Sequence, residues 1–327
     1  MRLINDQREV QRIFSNINYH DVPSWNDHPL FGELYRHLEP HVGPTGPAYL
    51  PCHLAVLEDQ VPIALVAATL RQLQISHYGF PVRIALRQNL SSKDLNRAVG
   101  MIVEGLKSAV SPHSARALIL GGVWGAPLSN LDNEMLKRMA RPSMRTHAIS
   151  ELGFEPIDIQ KHIRKSYRSL INWGKRNLEM KYVSFNNLNA ELFSKFPEFH
   201  SQITGKRYYD NPFWDALWNS IARGTGELSL SYLGKNELAG CVFVADAGKV
   251  SYYSMGIFNR KLFDKPLSHF PVYDAIMRAR SRGIKVFDLG EVPVKVDGLN
   301  DKAVQIGFFK RGFASSFNRF TLWELDL

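Results

Sequence analysis

Cysteine is scarce: Cys52 and Cys241 are the only two in 327 residues, set in the apolar contexts "YLPCHLAV" and "LAGCVFVA". Two distant thiols exclude a disulfide-stapled scaffold and read as core residues of a reduced, cytoplasmic protein. No group of His, Cys and carboxylate residues has metal-ligand spacing, so no zinc site is expected. The absence of a Gly-x-Ser-x-Gly elbow argues against serine hydrolase chemistry. No apolar run approaches the roughly 18 residues of a membrane span. The opening "MRLINDQREV" lacks the apolar stretch of a secretory signal. Low-complexity tracts and long single-sign runs are also missing, so no disordered tail is expected.

What is present is ordinary globular composition, 45% hydrophobic and 22% charged, enough chain for one large domain or two of average size. The net charge is +9. A basic surface suits an anionic partner: RNA, a nucleotide-linked substrate, or peripheral contact with the inner leaflet of a membrane.

One plan occurs twice. "YLPCHLAVLEDQVPIALVAATL" (49–70) reads as strand, polar turn, strand, and "LSLSYLGKNELAGCVFVADAGKVSYYSMGI" (228–257) repeats it with an added strand. Polar turns between apolar strands mark hairpins. A helix and another strand follow each hairpin. In the first half the helix spans roughly 91–110, with Ser91 and Ser92 as N-cap candidates, before "ARALILGG". In the second it spans roughly 269–282, between Ser268 and Gly283, before "IKVFDLG". The expectation is an α+β chain of two tandem units, 1–155 and 156–327, divided where Gly153 and Pro156 interrupt regular structure. One large mixed sheet with chance similarity is the alternative.

The second half opens on "KHIRKSYRSLINWGKRN". Read as one helix over 161–178 at about 100° per residue, it puts Lys161, Arg164, Lys165, Arg168, Asn172, Lys175 and Arg176 on one face. Ile163, Tyr167, Leu170, Ile171, Gly174 and Leu178 fall opposite. Like charges at i,i+4 repel, so a purely cationic face suggests a phosphate-binding stripe. A solvated face beside acidic loops is the plainer reading.

Near the C-terminus, "QIGFFKRGFASSF" (305–317) sets Lys310 and Arg311 among phenylalanines. In an extended segment, alternation sends these two cations to opposite sides. Lys310 then either serves chemistry between aromatic walls, Phe309 and Phe313, or snorkels from a strand edge. Asp288 interrupts the apolar strand "VFDLG" and fits substrate binding or the capping of a following turn. Lys206 and Arg207 fit a phosphate contact or a plain surface pair.

These residues together resemble the Fem family of aminoacyl-tRNA-dependent transferases. The resemblance is carried by "IRKSYRSLINWGKR", by the helix-and-strand block "KPLSHFPVYDAIMRARSRGIKVFDLG", and by "GFFKRGFA", which is similar to the family's aromatic-Lys-x-Gly-Phe signature. "SHYGFPV" (76–82) adds a weaker likeness, while "SWNDHPLFGELY" (24–35) departs from the family's usual opening. The resemblance covers most of 150–320 and, loosely, 45–120. It implies two GNAT-like domains, each a mixed, mostly antiparallel sheet flanked by helices. The first would lie on the acceptor side, with the C-terminal strand packing back onto it. It implies transfer from aminoacyl-tRNA to an amine-bearing acceptor, with no further cofactor: a cell-wall precursor, a polysaccharide sugar or a peptide. Lys310 would stabilise the oxyanion, and Gly312 would let backbone approach the substrate. Arg164, Lys165, Arg168, Lys206, Arg207, Tyr253, Asp288 and Phe309 would line the site, Tyr252 and Tyr253 lying on a cleft strand or in the core.

Two other classes remain open at this level. An acyl-CoA-dependent N-acyltransferase acting on an amino sugar would need a Gln/Arg-x-x-Gly-x-Gly/Ala loop, which the sequence does not supply. A non-catalytic RNA-binding module needs only the basic helix, but its aromatic interleaving is thin, Tyr167 and Trp173.

Overall fold

The computed structural model describes all residues except 16–49, 78–79, 88, 111–114, 124, 154, 208, 210, 235, 294–297 and 299–300. The chain forms two compact units, Met1–Arg145 with Arg319–Leu327, and Thr146–Asn318. The division falls inside the strands Arg141–Glu151 and Ser316–Asp326, the first point lying a few residues before the Gly153–Pro156 interruption.

The first unit contains β1 (Arg2–Ile4), α1 (Gln7–Ser15), β2 (Leu50–Pro51), β3 (Leu54–Glu58), β4 (Val61–Val66), β5 (Thr69–Arg71), β6 (Gln74–Ser76), β7 (Ile84–Leu86), α2 (Ser92–Val110), β8 (Arg116–Val123), α3 (Asn130–Lys137) and the start of β9 (Arg141–Glu151). The first expected hairpin is β3–β4, and its two-residue turn holds Asp59 and Gln60 at positive φ, 49° and 66°. Both residues of a type I′ turn need that conformation, and this turn's twist matches that of the strands. β1, β3, β4 and β7 form an antiparallel sheet. β8 pairs in parallel with β6 and antiparallel with the end of β15 (Ser316–Asp326).

α2 begins as the sequence suggests: Ser91 Oγ accepts from Asp94 N at 3.1 Å and donates back to the Asp94 carboxylate at 2.5 Å. Its apolar stripe, Ala98, Val99, Ile102, Val103 and Leu106, is buried in the core. The buried Trp323 indole donates to Asp132 at 2.7 Å. Burial alone would raise the Asp132 pKa, but hydrogen bonds from Ser129, Trp323 and Gly122 outweigh it and hold the carboxyl below the usual range.

The second unit runs through α4 (Pro156–His162), α5 (Lys165–Asn177), β10 (Leu178–Val183), α6 (Ala190–Thr204), α7 (Asn211–Ala222), β11 (Gly226–Leu233), β12 (Glu237–Ala247), β13 (Val250–Phe258), α8 (His269–Ser281), β14 (Val286–Glu291) and α9 (Asp301–Arg311). β10 to β13 form an antiparallel run, the second expected hairpin with its added strand. β14 is flanked by β13 in parallel and by β9 antiparallel. The second unit's sheet is therefore mixed and mostly antiparallel, as expected. α8 ends at Gly283, whose φ of +81° stops the helix. Gly174 lets α5 and α8 meet, because a Cβ there would overlap Phe270 Cβ.

Two local expectations are corrected. The basic segment is two helices, broken at Ile163 and Arg164, because the Arg164 amide donates to Gly312 O at 2.8 Å instead of to the preceding helical turn. And "GFFKRGFA" is the end of α9, not an extended segment, so alternation does not govern Lys310 and Arg311. The departure at 24–35 and the Tyr78-Gly79 part of the weaker likeness lie outside the described residues.

Candidate active site at the β13–β14 splay

β13 and β14 pair through three positions only, ending at Tyr252 opposite Asp288. β13 then continues to Phe258 along β12, while β14 turns toward β9 through an irregular register between Asp288 and Glu291. Gly290 sits at that irregularity with φ +85°, a conformation open to glycine and strained for other residues.

Gly290 also clears space. A Cβ there would lie 3.0 Å from both Lys310 Nζ and Tyr252 OH, so the two side-chain tips converge over one bare Cα. Lys310, half-buried at the end of α9, donates to Glu291 O at 3.2 Å. Burial pushes its ammonium below the ordinary lysine value of 10.5, and the charges of Asp288 and Glu291 act the other way. The Tyr252 phenol is pushed up by burial, then by Asp288 and Glu291. It therefore keeps its proton at neutral pH and is a donor rather than a base.

Asp288 is 3% exposed and uses both carboxylate oxygens. One accepts from the Gly290 amide at 2.6 Å, and the other lies 2.8 Å from His147 Nδ1 on β9. Its direct role is thus to hold the β14 turn, the capping alternative read from the sequence. His147 and Asp288 are 141 positions apart, and no local signal links them.

The C-terminal turn of α9 is held from α5. The last carbonyls of a helix lack intrahelical partners. Here Arg164 Nη2 donates to Phe308 O at 3.1 Å, Tyr167 OH to Phe309 O at 3.4 Å, and the Arg164 amide to Gly312 O. The Arg164 guanidinium also stacks 3.7 Å from the Phe308 ring centroid. Arg164 accordingly acts as a clasp on both sides of Lys310.

Phe309 and Phe313, one helical turn apart, face the Tyr167 and His269 rings, with centroids 4.5–6.3 Å apart across the group. They join the core of this unit, so the expected aromatic walls around the ammonium are replaced by Tyr252, Gly290 and the Glu291 backbone. Gly312 is buried beneath Tyr167, where a Cβ would overlap the ring. Close ring packing, not substrate approach, explains that glycine. Burial lowers the His269 pKa to about 4, against a backbone hydrogen bond to Pro266 and with help from Arg164, so this imidazole is neutral at physiological pH.

Of the remaining candidates, Tyr253 packs its hydroxyl over Gly256 and its ring with Phe309's cluster. Lys206 and Arg207 are exposed after α6, where Arg207 hydrogen-bonds Asn211. Lys165 and Arg168 are exposed on α5, with Arg168 donating to Lys161 O at 3.1 Å. The structure brings Lys310, Asp288 and Tyr252 together and leaves these others apart from them. Among the described residues no group of three or more His, Cys, Asp or Glu could hold a metal. No described helix is long and apolar enough to cross a membrane.

No sequence family and no curated protein matches the chain. Solved structures do. FemX aligns with a TM-score of 0.64 at 11% identity, over 98% of this chain and 97% of its own. The C-terminal domain of a putative lysylphosphatidylglycerol synthetase from Agrobacterium fabrum aligns at 0.59 and 14%, over 97% and 92%. A tandem GNAT protein from the clavulanic acid biosynthesis pathway aligns at 0.51 and 10%, over 99% and 98%. The chain has a Fem-like tandem GNAT fold.

Proposed function

We propose that the chain is an acyltransferase that moves an aminoacyl group from aminoacyl-tRNA to an amine. The observation that carries this reading is the half-buried Lys310 ammonium meeting the Tyr252 phenol over Gly290, where β13 and β14 part. Attack of an amine on an ester carbonyl forms the C–N bond and places negative charge on the carbonyl oxygen. Collapse then breaks the C–O bond, the amine gives up a proton, and the leaving alkoxide takes one. A fixed ammonium in a partly dehydrated site stabilises the oxyanion, and a protonated phenol is placed to donate to an oxygen.

The connection from β13 to α8, "NRKLFDKPLS", contains no glycine. A CoA pyrophosphate is usually cradled by a Gly-rich turn at a helix start. This supports an aminoacyl ester over acyl-CoA as donor. Its neighbours in fold include FemX and a putative lysylphosphatidylglycerol synthetase domain, which is consistent with aminoacyl transfer.

The test is incubation with charged tRNAs, or with acyl-CoA, and a panel of amines: nucleotide-linked sugars, amino sugars and short peptides. Mass spectrometry reads the product. An amine heavier by one aminoacyl residue, formed only with charged tRNA, is expected. An acyl increment from CoA would move the chain to the acyl-CoA reading, and no product with any donor would remove the enzymatic one.

A further inference from the structure

We propose that the α4–α5–α9 surface of the second unit docks on an anionic lipid bilayer. The first observation is electrostatic. Lys165, Arg168 and Arg176 are exposed on α5 and make no salt bridge with another described residue, while Lys175 lies 5.0 Å from the Tyr273 ring centroid and feels the Asp274 carboxylate. Arg116 and Arg141, by contrast, pair with Glu324. The first turn of α5 carries no acidic residue, so Lys165 adds to the positive end of the helix dipole instead of being offset. An unpaired cationic face tolerates its self-repulsion when a phosphate-rich surface faces it.

The second observation is apolar. Ile157 on α4 and Phe308 on α9 are each 62% exposed. The cationic stripe links them. Ile157 shares a face of α4 with Lys161, which pairs with Asp158 and whose carbonyl takes the Arg168 guanidinium, while Phe308 lies beneath Arg164. Apolar side chains flanking a cationic stripe are the pattern of a surface that lies on a bilayer, inserting its apolar tips between headgroups that its cations bind.

RNA is also a polyanion, but the apolar partners disfavour it. Bases stack on open aromatic faces. One face of Phe308 is already covered by Arg164 at 3.7 Å, and isoleucines offer no stacking platform.

The test is co-sedimentation of the full chain with vesicles of phosphatidylcholine alone, and of phosphatidylcholine with about one-third phosphatidylglycerol. Binding to the anionic vesicles only, weakening as salt rises, is expected. Lys165→Glu with Arg168→Glu should lower partitioning at least about tenfold, given the contribution of each cation near such a surface. Lys249→Glu with Lys285→Glu changes net charge equally and should lower it much less. Ile157→Ser should lower it severalfold with Tm unchanged, and because Ile157 is exposed its loss does not threaten the fold. Equal binding to both vesicles, equal losses from both charge pairs, or no effect of Ile157→Ser would overturn the proposal. So would binding of tRNA, lost on the same α5 reversal, with anionic vesicles left in the supernatant.

Discussion

Lys310→Met should lower turnover by about two to three orders of magnitude while leaving the fold intact. In structure, the ammonium reaches Glu291 O and stands over Gly290 beside Tyr252. In energetics, a fixed donor aimed at developing oxyanion charge contributes about 3–4 kcal/mol, and each 1.36 kcal/mol is tenfold in rate. Methionine preserves length and apolar stem but removes the charge. The loss should fall on kcat more than on KM, because the charge it meets exists only in the transition state. Stability should hold or rise. Burial lowers the Lys310 pKa in the folded chain, so keeping it protonated there works against folding at neutral pH. Arg311 is the control. It sits on the same helix end, is exposed, and hydrogen-bonds Pro293 O. Arg311→Met should change turnover only a few-fold. Near-normal turnover in Lys310→Met, or an equal loss in both variants, would remove Lys310 from the chemistry.

Gly312→Ala should destabilise the second unit by about 1–3 kcal/mol or more, the scale of an extra methyl forced into a packed core. The new Cβ would overlap Tyr167 Cε2 and lie 2.5 Å from Cζ, a separation no side-chain carbon tolerates. Relief requires the Tyr167 ring to move, and with it the hydroxyl that donates to Phe309 O and receives from Arg164. The α9 turn that carries Lys310 would shift as well. Tyr167→Leu alone leaves a cavity, but it removes the ring atoms that the added methyl would strike. The two changes together should therefore cost clearly less than their separate effects summed, as expected for residues in direct contact. Urea unfolding of the four proteins reads the coupling. Strict additivity would mean that the contact does not explain the glycine.

Local signals in the sequence are sound where local physics decides. Glu58-Asp59-Gln60 marks a turn, and the chain folds back there with Asp59 and Gln60 at positive φ. Gly283 marks the end of α8, and the apolar stripe Tyr167, Ile171 and Gly174 is buried as periodicity requires. Lys310 stands out in the sequence as a cation among phenylalanines, which leaves chemistry and snorkelling both open. Its surroundings do not. The run of aromatics suggests a strand, yet Phe309 and Phe313 bind one helix end to Tyr167 and His269. Arg164 reads as one more phosphate ligand because its periodicity matches Lys161, Lys165 and Arg168. Its guanidinium and amide instead go to carbonyls 144 and 148 positions away, a choice made by tertiary contact. His147, which fixes Asp288, and Gly290, which admits Lys310 and Tyr252, depend on strand pairing of that same long range.

The most direct measurement is the titration of Lys310 itself. Reductive methylation with ¹³C-formaldehyde keeps the charge and labels each amine for NMR, and Lys310→Met identifies the resonance. The predicted result is a pKa below the ordinary lysine value of 10.5, because burial lowers it more than Asp288 and Glu291 raise it. Asp288→Asn should lower it further by removing one of those charges, provided that the Gly290 turn holds. A Lys310 that titrates at or above 10.5, unmoved by Asp288→Asn, would contradict the site: its ammonium would then stand in open water, away from Asp288, Tyr252 and Gly290.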